Sequence, residues 1–423
     1  MAGDSTARSY QLAQERYAEL GVEVAGALRR LESVSLSLHC WQGDDVGGFE
    51  RPGAALSGGG IQVTGKHPGR ARTLEELRMD LEQVFSLLPG HHRVALHAMY
   101  GEFGGRAVDR DEIGREHFGG WVAWARAQGL KLDLNPTLFS HPKADDGWTL
   151  SHREQGIRKF WIQHVERCRA IAAYFGRELA SPCIHNLWIP DGSKDAPADR
   201  WAPRRRLRES LDAIYATDYS PQEMKDSVES KLFGIGSEAY VVGSHEFYVG
   251  YALTRGKMIC LDTGHFHPTE SIADKISALL EFSDELLLHL SRGLRWDSDH
   301  VVVLDDAVRA VMEEIVRGQA LARVHLASDF FDASMNRVGA WVIGGRAVLK
   351  ALLAALLEPR QKLQEAEEAG DNFARLALME EAKTLPLGAV WDYYCAKSSV
   401  AAGQEWMAEV QRYESEVTSH RSS

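Results

Sequence analysis

Residues 257–291 read KMICLDTGHFHPTESIADKISALLEFSDELLLHLS. An apolar run, Lys257–Thr263, closes on an aspartate. An amphipathic stretch, Ser271–Phe282, follows, and a second apolar run, Glu285–Ser291, carries a histidine near its end. Strand, helix and strand in that order, with Leu and Ile filling both faces of the strands, form the repeating unit of a parallel sheet. The alternation extends in both directions. Strands are expected at Val34–Trp41, Arg93–Tyr100, Leu130–Leu138, Pro182–Ile189, Ser227–Phe233, Lys257–Thr263, Glu285–Ser291 and Arg323–Asp329. Between them lie helical patterns at Leu74–Leu88, His117–Gln128, His152–Phe175, Arg204–Ala216, Ser271–Phe282 and Asp305–Arg317. Eight such units predict an α/β fold of the closed (β/α)8, or TIM-barrel, kind. No GxGxxG follows the first strand, which argues against an open nucleotide-binding sheet.

Three segments fall outside the eight units. Residues 1–33 read as an N-terminal helical segment, with one or two helices over Tyr10–Leu31. Residues 34–340 make the barrel, and 341–423 a helical extension suited to oligomerisation, with helical stretches at Ala347–Glu358 and Asn372–Lys383. The linker Gly43–Arg72 contains nine glycines and leaves the first strand at the barrel mouth. A loop of that length and composition is expected to be poorly ordered when empty and to close over a ligand.

The net charge of −12 argues against nucleic acid and against an anionic membrane surface as partners. No run of 18 apolar residues suggests a spanning helix, and Met1–Tyr10 lacks the apolar centre of a signal peptide. The five cysteines, Cys40, Cys168, Cys183, Cys260 and Cys395, are scattered without CxxC spacing. They read as buried thiols of a reducing compartment, hence a cytoplasmic protein.

What ends each strand carries the chemistry. His39, His97, Asn135, Trp188 with Asp191, Glu229 with Lys231, Asp262 with His265, His289 and Asp329 stand at or just beyond the eight ends. In such barrels these ends converge on one mouth. Buried charge without compensation is very unfavourable, and a divalent cation is the simplest compensation. Asp297 and Asp299, two apart, point the same way if extended, and His265 adds an imidazole. Glu229, Asp262, His289 and Asp329 form a second set, so two ions are expected; mixed His and carboxylate donors do not select one metal. Lys231 sits within this acidic ring as a donor able to polarise a substrate oxygen. Trp41, Trp188 and Phe139 are candidate apolar walls.

The runs His39-Cys-Trp-Gln-Gly-Asp-Asp45, Phe139-Ser-His-Pro142, Trp188-Ile-Pro-Asp-Gly192, Val228-Glu-Ser-Lys-Leu-Phe-Gly234, Asp262-Thr-Gly-His-Phe-His-Pro-Thr-Glu270, Arg295-Trp-Asp-Ser-Asp-His300 and Asp329-Phe-Phe-Asp-Ala-Ser334 resemble the L-rhamnose isomerase family. The resemblance runs from about residue 10 to about residue 415 without interruption. It implies a homotetrameric barrel enzyme interconverting L-rhamnose and L-rhamnulose in bacterial rhamnose breakdown, with two metal ions. Carried over, a catalytic Mn²⁺ falls on His265, Asp297 and Asp299. A second divalent ion, Zn²⁺ or Mn²⁺ in a structural role, falls on Glu229, Asp262, His289 and Asp329. His97, Trp188 and Lys231 fall on the sugar pocket, with Phe139 beside them, and Asp329, Lys231 and His265 are the expected catalytic residues. Asp329 is preferred to Asp332 because it stands at the strand end.

Isomerisation moves one hydrogen from C2 to C1 and a proton from O2 to O1. With the strand-end carboxylates and imidazoles taken up by metal, a metal-assisted 1,2-hydride shift is favoured over an enediol, the oxygen proton being relayed by Asp329 or by hydroxide. The rivals are a metal-dependent hydrolase or phosphate lyase on the same scaffold, and a non-catalytic metal-stabilised sugar-binding protein. The first strand lacks the HxH expected of the hydrolase, and Trp296–Val303 lacks the glycines expected of a phosphate loop.

Overall fold

The computed structural model describes residues 2–50, 64–231, 239–294 and 299–421. Eight parallel strands close a barrel: β1 (Leu36–His39), β2 (Arg93–His97), β3 (Lys131–Asn135), β4 (Cys183–Trp188), β5 (Met224–Glu229), β6 (Met258–Asp262), β7 (Leu286–Leu290) and β8 (Val324–Ser328). They pair in chain order, and the seam closes between β1 and β8 with Leu36 opposite Leu326. All eight expected strands are present. The fifth begins at Met224, ahead of the expected Ser227, because Lys225 lies on it. Its charge is no obstacle: Nζ donates to Glu285 Oε1 at 2.6 Å, and His325 Nε2 donates to Glu285 Oε2 at 2.6 Å. The expected end of that strand, Phe233, lies outside the described residues.

Helices α1 (Ala2–Ala18) and α2 (Val24–Glu32) precede the barrel. Its outer ring is α3 (Leu74–Phe85), α4 (Gly119–Gln128), α5 (Gln155–Leu179), α6 (Trp201–Ile214), α7 (His245–Arg255), α8 (Ile272–Leu280), α9 (Asp306–Arg317) and α10 (Arg337–Leu356). Four helices follow: α11 (Arg360–Glu368), α12 (Asn372–Ala382), α13 (Leu387–Lys397) and α14 (Glu405–Glu416). Thr73, Ser271, Asp305 and Asn336 cap α3, α8, α9 and α10 through side-chain oxygens, as these residue types do at helix starts. Helix α5 runs four residues beyond the expected Phe175, through Gly176. That glycine is a contact, not a stop: a Cβ there would lie 1.7 Å from the Glu223 carbonyl oxygen. Helix α7 fills the place between β5 and β6 where the alternation calls for a helix, although its aromatic and β-branched residues mask the helical period.

Helix α10 runs unbroken through residues 340 and 341 and packs on β1, α2, α3, α9 and α13. It is long and apolar enough to cross a membrane, with a mean hydropathy of 1.5, but 83% of that stretch is buried inside the protein and it carries Arg337, Arg346 and Lys350. Its burial accounts for its apolar composition. Tyr10 of α1 stacks on Tyr393 of α13 at 3.7 Å, and Arg421 pairs through both terminal nitrogens with buried Asp80 of α3 at 2.7 Å.

The barrel interior is layered. Ile184, Met258, Cys260, Leu287 and Ala327 form an apolar middle. At the amino ends of the strands, Arg93 donates to both Asp133 oxygens at 2.8 and 2.7 Å, and Ser37 Oγ donates to Asp133 at 2.7 Å. Outside the strands, buried Arg169 on α5 grips Asp226 on β5 at 2.9 and 2.8 Å, with Lys257 Nζ at 3.3 Å. Burial raises the Asp226 carboxyl, but His185 and Arg169 outweigh it and hold the group below its ordinary value. Removing one partner of a buried pair strands the other, so Asp226→Asn should lower the unfolding free energy by about 3–5 kcal/mol. Urea denaturation measures this, and a loss below about 1 kcal/mol would show that the pair is not effectively buried.

A candidate metal centre at the barrel mouth

Alternation along a strand sends every second side chain inward. On β5, β6, β7 and just past β8 this parity places Glu229, Asp262, His289 and Asp329 at one level, and all four are buried. One donor atom from each lies within 4.8 Å of the others. His289 Nδ1 is 3.0 Å from Asp329 Oδ2 and 3.3 Å from Glu229 Oε2, yet it makes no aligned hydrogen bond. Glu229 Oε1, Asp262 Oδ2 and Asp329 Oδ1 are likewise buried without a hydrogen-bond partner among the described residues. Native proteins rarely leave such atoms unpaired. Each of the four residues thus carries an unpartnered donor, and one donor atom from each falls in the same small space, which fits a divalent cation.

The other oxygens of Glu229 and Asp262 are held. Asn186 Nδ2 donates to Glu229 Oε2 at 2.6 Å, while Gly264 N and Ser291 Oγ donate to Asp262 Oδ1 at 2.7 and 2.9 Å. Such neighbours aim ligands at an ion. A second group joins Asp262, His265 and Asp299. His265 Nδ1 donates to the Ser230 carbonyl at 2.8 Å, which leaves Nε2 as the lone-pair nitrogen, 3.9 Å from Asp262 Oδ2. Asp262 therefore stands between the two groups. Asp297 lies outside the described residues. Asp332 joins neither group; it accepts from Ser334 N at 2.7 Å and caps its own turn.

Opposite these groups stand uncharged surfaces. His97 stacks on Trp41 at 4.3 Å, and Phe139 meets His97 and Trp188 edge-on at 6.1 and 6.0 Å. Both His97 nitrogens and the Nε1 atoms of Trp41 and Trp188 lack partners within the described protein. Lys231, 3% exposed, donates from Nζ to the Pro190 carbonyl at 2.8 Å and lies 5.5 Å from the Trp188 ring. His39 donates from Nδ1 to the Ser328 carbonyl at 2.5 Å and turns Nε2 toward Asp329 Oδ1, 3.9 Å away. Asp191, also at a strand end, points away from the mouth into its own buried contacts.

Burial lowers His39, and burial with His39 beside it puts His97 well below its ordinary value, so both imidazoles are neutral. Burial pushes Asp262 up to about 7, with Glu229 and Asp329 adding to the rise against His265. Burial also raises Asp329, but His39 and His289 bring it down to about 2. Burial opposes the His289 cation, but Glu229 and Asp329 raise it well above its ordinary value. Burial likewise raises the thiols of Cys40 and Cys260, which are packing residues.

Asn186 and Ser291 were not among the expected site residues, and His39 was expected at the mouth only as the residue that ends the first strand. Asn186 precedes Trp188 by two and so shares its face, a signal the period-2 alternation of β4 contained. The ends of the Gly43–Arg72 loop are fastened: Arg110 grips Glu50 through both carboxylate oxygens, Gly65 packs on the Ala333–Ser334 backbone, and His67 N donates to the Ala333 carbonyl at 2.7 Å. Residues 51–63, on which the expected closure over a ligand rests, lie outside the described residues.

A closed parallel barrel with two carboxylate–imidazole groups at its carboxyl mouth, facing neutral aromatic walls, defines a metal-dependent (β/α)8 enzyme for a small polar substrate. The L-rhamnose isomerase (RhaA) family model matches residues 5–421. L-rhamnose isomerase of Rhodopirellula baltica is 60% identical over 415 residues, covering 98% of this chain and 97% of that relative. Those of Escherichia coli (strain K12) and Bacteroides thetaiotaomicron are 54% and 53% identical over 414 residues, covering 98% of this chain and 98% of each relative. An L-ribulose 3-epimerase structure matches 80% of this chain and 99% of its own at 11% identity, with a TM-score of 0.47. The chain belongs to the L-rhamnose isomerase family.

Protons held by Asp262 and His289 near neutral pH must leave when an ion binds, so affinity should rise with pH between 6 and 8. Titrating Mn²⁺ into metal-free protein at pH 6.5 by calorimetry should therefore give heats that depend on the buffer's protonation enthalpy. Buffer-independent heats would exclude proton-coupled binding at this group.

Proposed function

We propose that this protein isomerises L-rhamnose to L-rhamnulose with two divalent ions, by a hydride shift between C2 and C1. Membership of the L-rhamnose isomerase family over residues 5–421 carries the substrate. The four converging residues, each with an unpartnered donor, support the metal dependence. Glu229, Asp262, His289 and Asp329 would hold one ion, in the structural role, as Zn²⁺ or Mn²⁺. His265, Asp297 and Asp299 would hold the catalytic Mn²⁺, with Asp262 adjoining. When bound, the ions supply Lewis acidity toward O1 and O2 of the open-chain sugar.

The chain's own residues do the rest. Phe139 and Trp188 cover the carbon skeleton and exclude water. His97, kept neutral, can donate to one sugar oxygen and accept from a hydroxyl. Lys231 brings an ammonium to a substrate oxygen, where low polarity strengthens the contact. His265 is oriented by its bond to the Ser230 carbonyl. Asp329 takes the proton from O2 and returns it at O1 while the hydrogen on C2 passes to C1 with its electron pair, so atoms and charge balance. A cytoplasmic homotetramer is part of the same proposal. Helix α12 supports the assembly: none of its residues is buried, and Phe373 and Leu376 are 82% and 58% exposed.

L-rhamnose deuterated at C2 should give L-rhamnulose retaining the label at C1 in ordinary water, read by NMR after a single turnover. Loss of most label to solvent would replace the hydride shift with base-catalysed proton abstraction, and no ketose at all would remove the isomerase assignment. The two metal groups should also separate by mutation. Glu229 is fixed within a strand and Asp299 lies beyond one, so Glu229→Ala should lower both activity and melting temperature. Asp299→Asn should abolish most activity at little cost in stability. Equal melting shifts would show that the two groups do not divide structural from catalytic work.

A further inference from the structure

Asp191 is fully buried, carries a full carboxylate's hydrogen-bonding load, and among the described residues its side chain hydrogen-bonds only to Thr149 and Ser151. Oδ1 accepts from Thr149 N at 2.8 Å and from the Thr149 hydroxyl; Oδ2 accepts from Ser151 N at 2.8 Å and Ser151 Oγ at 2.5 Å. The 149–151 segment is itself pinned to α6. Ser210 Oγ donates to the Leu150 carbonyl, and Arg206 Nε to the Ser151 carbonyl, each at 2.7 Å. The Asp191 backbone joins a second support, since its carbonyl accepts from Val242 N at 3.0 Å, and Gly192 pairs with Val241 in a two-residue antiparallel ladder.

The peptide immediately before Asp191 is the one whose carbonyl, Pro190 O, receives Lys231 Nζ at 2.8 Å. A peptide unit is planar, so the Pro190 carbonyl and the Asp191 Cα belong to one rigid plate. At Pro190 the ring fixes φ, so ψ is the one backbone rotation left on the near side of that plate. Four hydrogen bonds to the Asp191 carboxylate fix the far side. Rotation of the plate would swing the carbonyl oxygen away from Lys231 and shift the ammonium from its place 5.5 Å from the Trp188 ring.

We infer that Asp191 is a positioning residue for the isomerisation: through the Pro190 carbonyl it sets where the Lys231 ammonium meets the sugar. This rests on the proposed role of Lys231 at a substrate oxygen. Asparagine in place of Asp191 keeps the size but presents an NH₂ where two donors already point, so one arm of the clamp must turn away.

The test is a double-mutant cycle in the metal-loaded enzyme with Asp191→Asn and Lys231→Met, reading kcat and KM for L-rhamnose and bound metal per chain. Asp191→Asn alone should lower kcat/KM by about tenfold at unchanged metal content, since small misplacements of a positioned group cost that much or more. In the Lys231→Met background the same change should cost less than about twofold, because a positioning residue has nothing left to position. Full additivity of the two losses would make Asp191 a general scaffold residue and overturn the inference, leaving the role of Lys231 intact. A Lys231→Met enzyme with wild-type kinetics would overturn both together. If Asp191→Asn does not fold, Thr149→Val with Ser151→Ala, which removes only the two hydroxyl bonds, replaces it in the same cycle and is judged by the same criterion.

Discussion

At the barrel mouth, Glu229, Asp262 and Asp329 bring three carboxylates around the imidazole of His289, nearly cut off from water. Repulsion at that density has to be balanced by something positive, or by protons taken up in its place. The surroundings are arranged accordingly. Asn186, Ser291 and the Gly264 amide each hold one carboxylate oxygen of Glu229 or Asp262 and leave the other without a partner among the described residues. Below, an apolar layer from Ile184 to Ala327 separates this charge from the Lys225–Glu285–His325 group at the other end of the barrel, which neutralises itself. Two ionic systems thus share one cylinder without sensing each other strongly.

Much of this was legible in the sequence because a parallel barrel writes its order plainly. Each strand is an apolar run, each carboxyl end is marked by a polar residue, and the ends of eight such runs have one place to meet. Hence His97, Glu229, Asp262, His265, His289, Asp299 and Asp329 are found together, and Asp332 apart from them. What the strand ends could not tell is direction. Asp191 looks like a mouth residue by position, yet it lies past the last ladder bond of β4, where parity no longer governs the side chain. Asn186 failed the opposite way: it lies inside a strand, where an amide reads as filler until its partner on the neighbouring strand is known.

Helices were harder where packing overrides local preference. The α7 segment His245–Arg255 buries Tyr248, Tyr251 and Ala252, and the stabilisation comes from that contact and not from its composition. The helix expected to end at Phe175 continues through Gly176, a residue required there by the close approach of the Glu223 backbone. Gly176 turns on a neighbour 47 positions away, and α7 on its packing against β5 and β6, neither of which local helical periodicity reveals.

The pairing of Arg421 with Asp80 spans 341 residues, and the seam that closes β1 on β8 joins Leu36 to Leu326. A chain emerging from the ribosome N-terminus first therefore carries the edge of β1 and the carboxylate on α3 unsatisfied through nearly the whole of its synthesis. Contacts so distant in sequence are slow to form, because loop closure precedes any gain. The first part made is among the last to be secured, and during translation the exposed β1 edge is the place where a nascent chain would pair wrongly or recruit a chaperone.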